Sequence, residues 1–328
     1  MALPPSLLIR TAKTLWTTLW RTMMAQMAPS NRNGEYQRPV SAFCDRIPSE
    51  TFPAAAGRYR LIVGMGCPWA HRTLIVRALK GLDQVIPITV VSPAGEQGCW
   101  VFDHPSATDS LSCQTLPQFY KRLQPGYKGR ATVPVLWDSH TNTIVNNESA
   151  EIIEILNAAF DIWANYPNLD LYPAALQSDI NQWNQHTYTA INNGVYRCGF
   201  AQTQTAYKAA CNELFDALDT IDKTLAQHRY LCGKTLTLAD VRLFTTLIRF
   251  DVAYHDLFKC NRHRIADYKH LSEYVRDIYQ LPGIANTCDV EAIKRDYFGN
   301  LFPLNPGGII PLGPDLTSLE QPHNRHKF

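Results

Sequence analysis

Apolar and polar positions follow two different rhythms along this chain of 328 residues. Between about 55 and 158, short apolar runs alternate with longer segments of helical period. Tyr59-Arg60-Leu61-Ile62-Val63 reads as a strand and 69–80 as a helix ending near Gly81. A second strand is predicted over Val85 to Val91, a helix over 114–124 and a third strand over Val133 to Asp138. Thr143-Ile144-Val145 makes a short fourth strand, and Glu148 to Ala158 a helix. Two β–α–β units followed by a hairpin and a helix predict an α/β domain over 55–158, a mixed sheet with helices on both faces.

Residues 159–173 hold two prolines and several polar residues and read as a linker. Beyond them the period is helical throughout: 176–192, 205–226, 237–255, 267–280 and 289–297 carry apolar positions three and four apart. The change of rhythm predicts a second, all-helical domain over 174–300. From Pro303 to Pro314 proline and glycine forbid a helix, so 301–328 is expected to run extended over the surface, with the polar tail from Glu320 frayed. Residues 1–54 are an N-terminal extension. Their first 34 carry Arg10, Lys13, Arg21 and Arg32 and no acid before Glu35, with Leu, Trp and Met between. That pattern fits a targeting or membrane-surface helix, or a lead-in packed on the first domain.

Composition narrows the classes. A net charge of +2 without a long Lys/Arg run argues against nucleic acid. The nine cysteines are irregularly spaced and none forms a Cys-x-x-Cys pair, which points to a reducing, cytoplasmic setting without a structural metal. No apolar run reaches spanning length, so no transmembrane segment is expected.

The chemistry begins at Gly66-Cys67-Pro68-Trp69-Ala70-His71-Arg72. Cys67 falls at a strand-to-helix turn with Pro68 near the first helical position, where a missing N–H costs little. A thiol there faces free backbone N–H groups and the positive helix end, which favour thiolate and predict a depressed pKa. His71 and Arg72 would add positive charge. The alternative is a cysteine buried as a small hydrophobe. Ala70 stands where a second cysteine of a redox pair would be, so any redox chemistry is monothiol.

Val133-Pro134 heads the third strand; a cis proline there would present the Val133 backbone beside Cys67, or else mark a strand edge. Glu148-Ser149 opens a helix, where serine and glutamate either cap or meet a ligand bearing carboxylate and ammonium, as the γ-glutamyl end of glutathione does. Arg130, in a glycine-flanked loop, is a candidate for a carboxylate, and Trp100, in a loop, either covers a ligand or packs. In the helical half, Gly194 reads as a helix C-cap that leaves Tyr196 near a loop, and Tyr297 precedes Gly299. Among 15 tyrosines, neither is tied to a site by pattern alone. Thr237-Leu238-Ala239-Asp240 is a capping box with a role in folding.

These stretches, above all Cys67-Pro68-Trp69-Ala70-His71-Arg72-Thr73-Leu74-Ile75-Val76-Arg77, resemble one family, the glutathionyl-hydroquinone reductases or Xi-class glutathione transferases. The resemblance continues through Thr132 to Asp138, Asn147 to Ile153, Ile191 to Tyr196, Ala239 to Asp251 and the Asn305-Pro306 to Gly313-Pro314 segment. It implies a thioredoxin-like domain, an all-α glutathione-transferase C-terminal domain and a homodimer. It implies glutathione as co-substrate, glutathionylated aromatic molecules as partners, and no metal, flavin or nicotinamide. Cys67 would be the nucleophile, Trp100, Arg130, Val133, Glu148 and Ser149 would contact glutathione, and Tyr196 and Tyr297 would line the hydroquinone pocket. The implied reaction releases hydroquinone and oxidised glutathione through a Cys67–glutathione disulfide. A broader Omega-like thioltransferase or dehydroascorbate reductase, and a non-catalytic glutathione-fold binding protein, are the alternatives. The sequence departs from the family at 101–114, at Asp296 (histidine expected) and at Phe298 (tyrosine expected). Asp296 would then either accept the Tyr297 hydroxyl proton or face solvent.

Overall fold

The structure is a computed structural model that describes residues 4–94, 98–104 and 111–328. An N-terminal helix, α1 (Pro5–Met27), precedes the sheet. Then follow β1 (Tyr59–Val63), α2 (Pro68–Lys80), β2 (Ile88–Ala94), β3 (Cys99–Phe102), α3 (Leu116–Leu123), β4 (Val135–Asp138), β5 (Thr143–Asn146) and α4 (Ser149–Ala158). The strands lie in the order β3-β2-β1-β4-β5. β1 pairs parallel with β2 and antiparallel with β4, which puts Leu61, Ile62 and Val63 at the middle of the sheet with no exposed surface.

Two expectations change here. Only the first β–α–β unit is a parallel crossover, because β4 returns antiparallel beside β1. Trp100 lies on a strand rather than in a loop, since Cys99–Phe102 hairpins back on β2 as an edge strand. Four residues with one buried position carry too little alternation to be read as a strand. Part of the divergent 101–114 stretch, 105–110, lies outside the described residues.

The strand-to-helix turn is the feature that builds the site. Cys67 is the extended N-cap of α2, Pro68 is its first residue, and Gly81 closes it in the left-handed conformation at φ 63°. α2 packs against α4 and, across the chain, against α8 (Leu238–Arg249). Squeezed between them, even its polar residues His71, Arg72 and Thr73 are buried.

From Gln177 to Gly299 the chain is mainly helical, and 301–316 then runs without helix or strand. α5 (Gln177–Thr187), α6 (Gly194–Gly199), α7 (Gln204–Leu225), α8, α9 (His255–Leu257), α10 (Lys269–Tyr279) and α11 (Val290–Lys294) follow in order. The α8 capping box forms as expected. Asp240 accepts from the Thr237 backbone N–H at 2.8 Å, and also from Leu231 N–H and the Tyr274 hydroxyl. Three π-helical turns, Tyr188–Asn192, Phe250–Tyr254 and Arg295–Gly299, interrupt this regularity among the described residues. The first corrects the reading of Gly194. The chain does not stop there; it passes through a wide turn and Gly194 opens α6, so Tyr196 is helical.

The termini also differ from expectation. The tail is not frayed: Arg325 is fully buried and donates to the backbone carbonyls of Leu225, His228 and Arg229, satisfying the C-terminal end of α7. Residues 43–47 run beside β5, with Asp45 N–H donating to Val145 O and Asn147 N–H to Phe43 O. No helix among the described residues is long and apolar enough to cross a membrane.

Candidate active site

A cleft of about 770 Å³ opens between the sheet's α2 edge and the helical half, and Cys67 lies on its floor. The Cys67 sulfur is 3.8 Å from Val133 O, and the Val133–Pro134 bond is cis, so these two loops do meet. Gly64 and Gly66 are required by close approach. A Cβ on Gly64 would come within 2.5 Å of the Trp100 ring, and one on Gly66 within 2.2 Å of the Asp296 carboxylate.

The charge around Cys67 is not what the sequence predicted. Burial pushes the thiol above its ordinary value, outweighing the Ala70 backbone N–H, the Arg249 guanidinium, the Trp69 N–H and Arg38, which all pull it down. The expected depression therefore does not hold for the free thiol: helix-end stabilisation is present, but the desolvation cost is larger. His71 contributes no charge. Its Nδ1 is 2.8 Å from Arg249 Nη1, which can only donate, so Nε2 carries the proton and donates to Thr287 Oγ1 at 2.8 Å. Burial and then Arg249 hold its pKa well below the usual histidine range. Arg72 does not face solvent. It stacks over Trp69, bonds Asn192 Oδ1 at 3.0 Å, and donates to Ser149 Oγ at 3.3 Å.

Arg249, absent from the sequence-predicted site, is the cation that matters. Fully buried at the end of α8, it donates to Gly66 O, Met65 O and Thr245 O, fixing the loop that carries Cys67. The signal was an arginine between Ile248 and Phe250 in an otherwise apolar helix end.

On one wall, Glu148 rather than Ser149 is the side-chain cap of α4, accepting from Ala150 N–H at 3.1 Å. Its second oxygen accepts from Ser41 Oγ at 2.8 Å. Arg130 is exposed at the rim, and Trp100 stands partly buried beside the floor. Tyr36, Arg38 and Ser41 from the N-terminal extension also line the cleft, with Arg38 3.8 Å above the Trp69 ring. Sequence pattern had no means of bringing that extension here.

The opposite wall is aromatic. The Tyr297 hydroxyl lies 2.6 Å from the Tyr196 hydroxyl and 2.9 Å from that of Tyr254. Burial raises all three pKa values, so each is a neutral O–H. Two hydrogen bonds consume two of three protons, leaving one O–H to donate outward; Tyr196 and Tyr297 line the cleft. Tyr254 was missed, because a tyrosine in a buried π turn looks like core. Asp296 neither bonds Tyr297 nor faces solvent. Its Oδ1 is buried without a hydrogen-bond partner, with Arg295 Nε 3.9 Å away; its side chain is 10% exposed, and burial outweighs Arg295 and the Gly66 N–H to push its pKa to about 6. Among the described residues no group of three His, Cys, Asp or Glu side chains could hold a metal.

Comparison with known proteins places this architecture. Residues 66–159 match the glutathione S-transferase N-terminal domain family, and 204–277 its C-terminal domain family. The glutathionyl-hydroquinone reductase YqjG of Escherichia coli K12 is 46% identical over 305 residues, covering 89% of this chain and 92% of that protein. Its glutathione-bound structure superposes with a TM-score of 0.80 over 86% of this chain and 93% of that one, at 49% identity. The glutathione-S-transferase Xi of Phanerochaete chrysosporium superposes at 0.84, with 42% identity, over 90% of this chain and 97% of that one. With such identity over nearly the whole of both chains, the chain belongs to the glutathionyl-hydroquinone reductase family, the Xi-class glutathione transferases.

Proposed function

We infer that this chain reduces glutathionyl-hydroquinones to hydroquinones at the expense of glutathione. One juxtaposition carries the reading: a single cysteine at a helix start, beside the Val133 carbonyl, faces a wall of linked neutral tyrosines. The first half suits an extended peptide thiol, and the second an aromatic diol.

In the first step Cys67 thiolate attacks the glutathionyl sulfur. The S–S bond forms, the aryl C–S bond breaks, and its electron pair stays on the ring carbon, which takes up a proton. The one O–H left free by the linked tyrosines, on Tyr196 or Tyr297, donates to a ring hydroxyl and stabilises charge as it develops there, while the other tyrosine hydroxyl supports it. A second glutathione thiolate then attacks the mixed disulfide, expelling Cys67 thiolate and leaving as oxidised glutathione. Glu148 receives the ligand ammonium, Ser149 and Arg130 meet its carboxylates, Val133 pairs with its backbone, and Trp100 covers it. Glutathione is a co-substrate, and Arg249 holds Cys67 in register. The protein works as a homodimer in the cytoplasm, to be checked by sedimentation velocity and by fractionation.

The broader thioltransferase reading uses the same Cys67 intermediate but has no need of the tyrosines. Turnover of glutathionyl-menadiol against hydroxyethyl disulfide separates the two. The aromatic substrate is expected to be much the faster; equal or reversed rates would give the chain to the thioltransferase class. Bound glutathione without turnover of either would make it a binding protein.

A further inference from the structure

Helix α1 keeps an apolar stripe in water. Leu8, Ala12, Leu15 and Leu19 fall on one line along it, flanked by Ile9 and Trp16. Leu8 is 53%, Leu15 66% and Leu19 52% exposed, far more than a stripe packed on its own domain would be. Arg10, Thr14, Thr17 and Arg21 form the opposite line, and Lys13 lies on its border. Only the last turns are anchored: Met24 is fully buried, and Trp20 Nε1 donates to Pro303 O at 3.0 Å.

The helix also lacks the devices that would stabilise it in solvent. It has no side-chain N-cap, no acid in its first turn and no base in its last. The hydroxyls of Thr14, Thr17, Thr18 and Thr22 are turned back onto the carbonyls four residues earlier.

We propose that α1 lies on the surface of an anionic lipid bilayer, with Leu8, Leu15, Trp16 and Leu19 in the acyl boundary and Arg10, Lys13 and Arg21 at the headgroups. Charge decides between occupants. A second copy of α1 would bring three more cations and no acid, whereas an anionic surface complements all three. Aliphatic and tryptophan side chains opposite a basic and threonine face are the pattern of an interfacial helix, and no helix among the described residues is long and apolar enough to span. The helix ends at the cleft, since Met27 lines it. Docking would therefore hold the mouth of the cleft against the bilayer, where a hydroquinone freed of its glutathione partitions; that last consequence rests on the function proposed above.

The test is co-sedimentation of the full chain with vesicles of pure phosphatidylglycerol and of pure phosphatidylcholine. Binding is expected to phosphatidylglycerol, weaker by roughly a hundredfold on phosphatidylcholine, since each of three basic residues contributes about fivefold at an anionic surface. A Leu15→Asp/Leu19→Asp variant should stay in solution with unchanged turnover of a soluble substrate, which shows it is folded. An Arg10→Gln/Lys13→Gln/Arg21→Gln variant should lose the salt dependence of binding. Wild-type chain left in the supernatant with phosphatidylglycerol would overturn the proposal. So would a Leu15→Asp/Leu19→Asp variant that binds as wild type, or one whose only change is from dimer to monomer. Because soluble-substrate turnover is read separately, failure here leaves the catalytic reading standing.

Discussion

The two walls of the cleft are built by different means. The wall assigned to glutathione is made of backbone ends: the α2 start at Cys67, the Val133 carbonyl before β4 and the α4 start at Glu148. The wall assigned to the aromatic ring is made of side chains delivered by helices that depart from regularity. Tyr254, Asp296 and Tyr297 sit within π turns, and Tyr196 follows one. A π turn inserts one residue and swings the following side chains to a new face, which is why such turns gather at functional sites. The difference teaches that one wall is set by local chain geometry and tolerates little, while the other depends on side-chain identity and can be altered residue by residue. Asp296, one of the positions where the sequence was expected to depart from the family, lines the cleft on the second wall.

The comparison breaks most sharply at Cys67, which both walls need. Cys67→Ala should abolish turnover of every substrate, while Cys99→Ser, also in the cleft, should retain it. Residual wild-type rates in Cys67→Ala, measured by hydroquinone release, would remove the shared nucleophile.

Next come the tyrosines, which should separate the walls. Tyr196→Phe and Tyr297→Phe keep the rings but delete donors, and loss of one such donor costs on the order of a hundredfold in rate. That loss should fall on glutathionyl-menadiol and spare hydroxyethyl disulfide. Equal slowing of both would mean that the tyrosines support the fold or Cys67 instead.

Glu148→Gln probes the other wall. Losing a charge-assisted hydrogen bond should weaken glutathione by about 1.5–3 kcal/mol, read by calorimetry, with little change in turnover at saturation. An unchanged dissociation constant would take Glu148 off the ligand and leave it a helix cap.

The smallest effect is on stability. The carboxyl of Asp296 is raised to about 6 by burial, so the folded state holds its proton more tightly than the unfolded chain does. Below about pH 4 both states are protonated and Asp296 is neutral to stability. Between about pH 4 and 6 the unfolded chain ionises this group while the folded state keeps its proton, so stability falls by up to about 3 kcal/mol, and above 6 the loss is complete. Asp296→Asn should therefore raise Tm at pH 8 and leave it unchanged below about pH 4. The opposite trend would mean that the carboxylate is stabilised by a partner in solution.

The same contrast explains what the sequence could disclose. The strands and helices near Cys67, its place at a helix start and the α8 capping box were legible because each rests on residues close in sequence; the meeting with Val133, 66 positions away, was open to expectation only through the order of strands and helices. β3 was not, being four residues with little alternation, and Gly194 misled because glycine most often stops a helix. The thiol's charge environment was misjudged because desolvation and Arg249 arrive through tertiary packing: Gly66 and Arg249 are 183 positions apart. Tyr36, Arg38 and Ser41 were invisible for a related reason, since nothing local says that the N-terminal extension folds over the cleft.

The central claim is that Cys67 takes the glutathionyl group directly from the aromatic carbon. Mixing the protein with a limiting amount of glutathionyl-menadiol, with no free glutathione, should release one menadiol per glutathionyl group captured. Peptide mass spectrometry should then find that group on the Cys67 peptide, and added glutathione should remove it as oxidised glutathione. Menadiol released without an adduct, or an adduct on Cys99 or Cys288 with Cys67 unmodified, would contradict the mechanism.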